Sequence, residues 1–360
     1  MTDTPATVRY VAHPVVIADL ADGVLLKRGS VELRVTGPAM AEIVSALFDA
    51  FANQVLSRED LLEQFPTALH ETVSTLFEAL TARRLLQPEG EAHVADHFES
   101  RAELFFWDHG VSGPRLVAQL KDRRFVVLGV NSISRALVGS LREAGFEEVR
   151  TVDVPNLRNV RFMDAEGAFA EALWPAYLGA PVPLQSFIDG QEEFNCLVAT
   201  SDLGGAHLLR DWNTFAHAAG VAFFPVVLQN MRGFVGPLAI PGETACYECY
   251  RARQNSHMND PEGQRASEHV AHQTQLGVSC HPSMAAALGQ LAGLELTKFF
   301  VSRIAGWQVG TVYEFDMLNL SLERRRVLRV PRCSVCDRRG QQSAVSLDEK
   351  LFTPHKAKAE

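Results

Sequence analysis

Two short thiol pairs, Cys246-Tyr-Glu-Cys249 and Cys333-Ser-Val-Cys336, constrain this chain more than any other feature. A Cys-x-x-Cys turn aims two sulfurs at one point, and two such turns close the tetrahedral thiolate shell of a structural zinc site. The stretch from 250 to 332 between them is far longer than a zinc ribbon needs. A zinc ion on Cys246, Cys249, Cys333 and Cys336 would therefore staple two distant parts of one domain. Its role is structural, because a closed shell leaves no position for a substrate.

A chain of 360 residues with 47% hydrophobic content has room for two or three domains with cores of their own. No apolar run reaches about 18 residues and no signal peptide opens the chain, so no membrane partner is expected and the protein reads as cytoplasmic. A formal charge of -9 speaks against nucleic acid as a partner, which needs clustered excess Lys and Arg. In a reducing compartment six cysteines read as metal ligands before disulfides. Cys196, in the apolar run from Phe194 to Thr200, reads as a core thiol. Cys280, just before His281-Pro282, is either inert or a thiolate lowered by the helix that follows.

From Val11 to Glu89 the order is three short strands, then three helices. Val15 to Leu20 and Val24 to Lys27 flank an Ala-Asp-Gly hairpin signal, and Val31-Glu-Leu-Arg-Val-Thr36 alternates at period two, with Val31, Leu33 and Val35 on one face. After Gly37-Pro38 the period becomes helical: Ile43, Leu47 and Phe51 recur at i, i+4 and i+8. Ser57-Arg-Glu-Asp60 opens a second helix in the manner of a capping box, and Val73, Leu76, Phe77 and Leu80 mark a third. Residues 91–120, polar and then aromatic at Phe105-Phe-Trp107, read as a linker.

Strands followed by three helices over residues 8–90 is the order of a winged-helix-like module. This module resembles the peptide-recognition element of ribosomal peptide natural-product pathways, related to the small PqqD-type chaperone. The resemblance implies that the leader of a precursor peptide adds a strand to the edge of the third strand and lies against the third helix, which is strand augmentation. Carried over by residue, the groove runs between Val31, Leu33 and Val35 and the helix face of Val73, Leu76 and Leu80. Lys27, Arg28, Arg34, Arg83 and Arg84 would draw acidic leader residues. The plainer alternative for each is a core position or a solvated charge.

Residues 121–337 have another rhythm. Arg124-Phe-Val-Val-Leu-Gly129 reads as a buried parallel strand, a helix follows over 133–144, and Val149-Arg-Thr-Val-Asp153 is a strand ending in an acid. This opens a Rossmann-like nucleotide fold, where glycines let backbone amides approach phosphates and the acid meets a ribose. After Gly129, however, the loop reads Val-Asn-Ser-Ile-Ser134, with bulkier residues at the expected second and third glycines. A fold survives that change more easily than nucleotide binding does. A further strand ends in Asp202, with a helix over 206–219 and a strand over 221–228. Residues 254–275 read as a mobile polar excursion. A helix from Ser283 to Phe300 turns Ala285, Leu288, Leu291, Ala292 and Leu296 inward, strands over 309–316 and 325–330 deliver the second clamp, and 338–360 form a fraying tail.

With Pro241-Gly242 ahead of the first clamp and Pro331-Arg332 ahead of the second, residues 10–337 resemble the ThiF/MoeB-like adenylating fold, relatives of ubiquitin-activating enzymes. The branch most similar is the one found in thiazole/oxazole-modified peptide pathways. The resemblance implies an α/β architecture: the winged-helix-like module, then a Rossmann-like adenylating-type domain with a four-cysteine zinc site. Adenylating members bind ATP; here Gly129, Asp153 and Asp202 are the remnants of such a site, with Arg135 and Arg210 as nearby cations, and the eroded loop predicts that ATP is not used. Asp153 and Asp202 could equally cap nearby amides. Without ATP chemistry, the resemblance implies a docking subunit that binds the precursor leader peptide and presents its core to a separate YcaO-type cyclodehydratase, which uses ATP to form azoline rings. Docking of this kind raises the local concentration of substrate at a remote active site. The chain has no extension long enough for a YcaO part, so that enzyme is expected as a separate polypeptide. The adenylating fold commonly dimerises, which leaves a homodimer open, and the sequence itself does not decide the oligomeric state. An active adenylating enzyme acting on a peptide, and a zinc protein serving another peptide modification, are the other readings.

Overall fold

The computed structural model describes residues 7–52, 54–91, 101–111, 113–190, 192–274, 279–301 and 309–337. They divide into two compact units, Met1–Gln119 and Leu120–Glu360.

In the first unit β1 (Arg9–Ala12) precedes an antiparallel sheet of β2 (Val16–Leu20), β3 (Gly23–Arg28) and β4 (Val31–Thr36), in that spatial order. The register sets Leu26 opposite Leu33 and Val24 opposite Val35, so the period-two apolar sets of both strands reach the same core. Three helices follow, as the periodicity predicts. The first, α1 (Met40–Phe51), buries Ile43, Val44, Leu47 and Phe51. After the two-residue β5 (Leu56–Ser57), α2 (Arg58–Glu63) starts on a full capping box: Ser57 Oγ accepts from Asp60 N at 3.0 Å, and Asp60 accepts from Ser57 N. The third, α3 (His70–Ala82), buries Val73, Leu76, Phe77 and Leu80. Then β6 (Leu86–Pro88) pairs with β1, which also pairs with β5. This second small sheet escapes a sequence reading because strands of two to four residues show no period.

The linker expected over 91–120 is corrected. Its described part holds α4 (Arg101–Asp108) and α5 (Gly113–Lys121). Trp107 is buried in the core of α1 and α3, with the guanidinium groups of Arg28 and Arg84 over its ring at 4.7 and 5.4 Å. Asp108 accepts from Ser30 N at 3.2 Å. A large ring buried under two cations fastens α4 to the hairpin, which a linker would not be.

The second unit runs β7 (Arg124–Leu128), α6 (Ser132–Glu143), β8 (Glu148–Asp153), β9 (Val182–Pro183), α7 (Leu184–Asp189), β10 (Cys196–Ser201), α8 (Leu209–Ala219), β11 (Ala222–Gln229), β12 (Arg232–Val235), α9 (Tyr247–Ser256), α10 (Pro261–Thr274), α11 (Pro282–Phe300), β13 (Thr311–Asp316) and β14 (Ser321–Arg326). Its sheet has the order β14-β13-β12-β11-β10-β7-β8-β9. Pairing is parallel from β11 to β9 and antiparallel from β11 to β14. Every residue of β10 is buried, so Cys196 is a core thiol and burial pushes its pKa far up. Alternation splits the strands between two faces. Val126 and Leu128 join the core of Trp212 and Tyr247, whereas Phe125 packs on Phe146 and on Phe300 of α11. On that second face α6 and α11 approach closely: a Cβ added at Gly289 would stand 2.4 Å from the Ile133 carbonyl oxygen.

Three further expectations are corrected here. Leu291 is 38% exposed, because the buried stripe of α11 follows Ala285, Leu288, Ala292 and Leu296, and Leu291 falls beyond its edge. The last strand covers Ser321–Arg326 rather than 325–330; its ladder with β13 ends at Thr311, and the chain beyond is not part of the sheet. Residues 254–274 are largely helical, in α9 and α10, and not an excursion. What ties these polar helices is invisible as a hydrophobic period: Arg251 Nη2 bonds both oxygens of Glu268 at 2.7 Å, and Glu268 is 1% exposed. The tail over 338–360 lies outside the described residues. Among the described residues no helix is long and apolar enough to cross a membrane.

Removing one partner of that buried pair strands the other charge, so Glu268→Ala should cost about 3–5 kcal/mol in urea unfolding. The double replacement Arg251→Met with Glu268→Leu should recover most of the loss. A cost below about 1 kcal/mol for the single change would place the pair in solvent.

Candidate functional site

Cys246 is the N-cap of α9 and Cys249 lies in its first turn, while Cys333 and Cys336 lie in the turn after β14. All four thiols are buried, and their sulfurs lie within 4.8 Å of one another. The separations are 3.9 Å for Cys246–Cys249, 3.6 Å for Cys246–Cys333 and 3.4 Å for Cys249–Cys336. A tetrahedron with Zn–S bonds of about 2.3 Å has edges of about 3.8 Å, so the donor set fits zinc. Outer contacts hold the clamps in place. Val330 N donates to Cys249 Sγ at 3.3 Å, and Asn213 Oδ1 accepts from Tyr247 N at 3.1 Å. Arg329 Nε donates to the Thr244 carbonyl and Arg253 Nε to the Leu328 carbonyl, stitching one clamp's surroundings to the other's. The bond donated by Cys246, with the Val330 amide, holds the Cys249 thiol below its ordinary value against the desolvation of burial.

The residues of the expected nucleotide site come together around the N-terminus of α6, and the protein's own side chains fill it. Gly129 has φ +99, and a Cβ there would meet Asn131 Nδ2, Leu157 Cβ and Thr200 O, each at 2.9 Å. Asn131, at the place of a missing glycine, caps α6: its Oδ1 accepts from Ser134 N, and its Nδ2 donates to the Leu157 carbonyl and to Thr200. Asp202 closes the remainder, accepting from Ser132 N and from Asn159 Nδ2, each at 2.9 Å. A carboxylate thus stands at the positive end of a helix, where a phosphate would otherwise bind. Residues 129–134 are buried throughout. Asp153 is likewise engaged, since Arg158 forks both its oxygens at 2.8 and 2.6 Å. Of the two cations expected nearby, Arg210 pairs with Glu248, whereas Arg135, in the first turn of α6, lies 6.0 Å from the centre of the Phe162 ring. The lost glycines are plain in the sequence, whereas Asn131, Arg158 and Asn159, which fill their space, act through partners that lie far along the chain or that no motif marks. The capping box Asn131-Ser-Ile-Ser134 was the available signal.

Cys280 is half-buried with Sγ 3.9 Å from the Asp202 carbonyl, and burial raises its pKa. The helix that follows does not activate it, because His281 Nδ1 already accepts from Ser283 N.

In the first unit, β4 bonds only to β3 among the described strands, leaving its other edge without a partner strand. Leu33, Val73, Leu76 and Leu80 are core residues, and Val31 and Val35 pack partly against the same core. Of the basic positions, Lys27 and Arg34 are exposed and paired with Glu32 and Asp22, and Arg83 is exposed. Arg28 and Arg84 are held at Trp107: Arg84 donates to the carbonyls of Trp107 and Asp108, and Arg28 to that of Pro14.

No protein-family model matches the sequence, and no curated protein matches it significantly. Solved structures do. The microcin C7 biosynthetic enzyme MccB in complex with N-formylated MccA is similar with a TM-score of 0.64 at 18% identity, over 91% of this chain and 100% of that one. E. coli MccB with ATP is similar with a TM-score of 0.62 at 18% identity, over the same shares. A heterocyclase in complex with substrate and cofactor reaches 0.57 at 18% identity over 92% of this chain, which spans 40% of that one. The chain therefore has the Rossmann-like fold of MccB, with a large, mixed sheet and a four-cysteine cluster.

Two outcomes test this geometry. Cys246→Ser or Cys333→Ser should lower folded yield and zinc content together, with one zinc per wild-type chain by metal analysis. A stable mutant lacking only activity would mark the metal as catalytic. Asp202→Ala leaves the Ser132 amide and Asn159 Nδ2 without a buried acceptor and should cost at least about 2 kcal/mol. Burial pushes the Asp202 carboxyl above its ordinary value near 3.8, against the pull of the Asn159 and Ser132 bonds. The stability it contributes is then complete below that value and is lost as pH rises through the higher native one. Asp202→Asn, which keeps an acceptor for Ser132 N, should gain on wild type across that rise in pH-dependent unfolding.

Proposed function

We propose that this chain binds the leader of a ribosomally made precursor peptide and presents its core to a separate YcaO-type, ATP-dependent cyclodehydratase that forms azoline rings. In this reading it is a docking subunit with a structural zinc and no nucleotide chemistry of its own. The observation that carries it is the cradle at α6, where Asn131 and Asp202 take the amides a phosphate would need. The likeness to MccB with its MccA peptide and to a heterocyclase with its substrate supports a peptide as the ligand.

The leader would add to the open edge of β4, the first unit acting as a PqqD-like, winged-helix-like recognition element. Lys27, Arg34 and Arg83 would meet its acidic residues, while Arg28 and Arg84 act indirectly by holding the hairpin against Trp107. Leu33, Val73, Leu76 and Leu80 would shape the groove from beneath. An active adenylating enzyme acting on a peptide remains the second reading, favoured by the ATP complex of MccB.

A labelled leader peptide titrated against the intact chain tests the site. The triple reversal Lys27→Glu, Arg34→Glu, Arg83→Glu alters exposed positions only and should weaken binding at least about tenfold while leaving unfolding nearly unchanged. Unchanged affinity would remove the assignment. With the YcaO-type enzyme and precursor present, mass spectrometry should show loss of one water per ring only when this chain is added.

A further inference from the structure

The second unit holds a cavity of about 900 Å³ that none of the preceding roles uses. Strands β12 to β14 form one wall, and α9 and α10 form the other. Phe234 and Tyr250, with ring centroids 6.5 Å apart, line it together with Met231 and Met258. Two rings with two unbranched thioethers make an apolar surface that can adapt to different bulky side chains. The size is that of an ordinary ligand site.

The polar groups of the cavity are unevenly satisfied. Its three carboxylates are all engaged within the protein. Glu268 is held by Arg251; Glu314 accepts from Tyr250 Oη at 3.4 Å and from Arg325 at 3.0 Å; Asp316 accepts from the amides of Leu318 and Asn319 and from Asn319 Nδ2. Among the basic residues, Arg325 is paired with Glu314 and Glu323, and Arg253 is bound to the carbonyls of Leu328 and Arg329. Arg232, His257 and Arg326 line the cavity without a side-chain hydrogen bond or close ion pair to any described residue, and Arg232 lies in the field of Asp316, whose carboxyl the Asn319 bonds, and more weakly Arg232, hold below its ordinary value. Arg232 stands across the ladder from Asp316, whose oxygens the turn already occupies. The remaining donor capacity is therefore cationic, and it shares the cavity with two aromatic rings.

We infer that this cavity is a second peptide site, which takes a segment carrying a carboxylate next to a bulky apolar side chain. The carboxylate goes to Arg232, a charge-assisted pairing, and the apolar group to Phe234, Tyr250 and Met258. A doubly charged phosphate is the poorer ligand, because three carboxylates line the same walls. The carboxylate comes either from an acidic side chain or from a free C-terminus. The inference rests on the reading of this chain as a peptide binder. It adds that the precursor is held at two points, so the second contact forms at the high effective concentration set by the first.

The test is a fluorescence titration of the intact, zinc-loaded chain with a labelled hexapeptide, Ser-Gly-Leu-Phe-Asp-Leu. Four versions are compared: Asp or Asn at the fifth position, each with a free or an amidated C-terminus. The versions bearing a carboxylate at the productive place should bind at least about tenfold tighter than the doubly neutral one, and which of them does so names the source. Arg232→Glu should abolish the difference and His257→Ala should reduce it, and Arg232→Gln, which sets no second negative charge opposite Asp316, should act as Arg232→Glu does while unfolding stays close to wild type. Equal affinity for all four versions, no binding of any, or a preference that survives Arg232→Glu would overturn the inference. A chain that binds the leader but none of the hexapeptides fails this inference alone. Binding of the hexapeptides without the leader fails only the assignment to β4.

Discussion

Four buried thiols within 4.8 Å of one another are a strained company unless a cation gathers them. Ionising even two in a buried cluster without a metal would set like charges side by side, and leaving all four protonated would forgo the bonds their geometry is set to make. A metal held by these four sulfurs would be the constraint on which much of the second unit hangs. It would fix the start of α9, and with it Tyr250 and Arg251; Arg251 in turn holds Glu268 and α10. The other clamp follows the β13–β14 hairpin, so a metal held there sets both walls of the cavity between strands and helices.

The same unit has kept a Rossmann-like opening while its phosphate place has been closed from within. Loss of two glycines alone would block a ligand only by bulk. Asn131 and Asp202 go further, because they satisfy the amides that would otherwise attract an anion, and Arg158 does the same for the acid at the end of β8. A site whose Ser132 and Ser134 amides and Asp153 carboxylate are already paired internally gains little from a nucleotide that must first break those bonds. In the proposed function, the fold then acts as a support for peptide binding.

Strong local signals were legible in the sequence. The period-two set of Val31, Leu33 and Val35, the capping box at Ser57, the helix stripe of α3 and the two clamps each rest on residues close in the chain, and each appears as predicted. What could not be read depends on partners far apart. Trp107 looked like part of a linker because its two cations come from Arg28 and Arg84. The helix α10 looked like a loop because a single buried ion pair, not a hydrophobic stripe, fastens it. The closing of the nucleotide cradle was half visible: the missing glycines were plain, whereas Asp202 reaching Ser132 across 70 residues was not.

The claim that peptide docking has replaced nucleotide chemistry meets its most direct test in calorimetry of the intact, zinc-loaded chain titrated with magnesium ATP, alone and with the leader peptide present. The account predicts no saturable heat corresponding to a dissociation constant tighter than about 1 mM in either case. Saturable binding in the micromolar range, with or without the peptide, would contradict it.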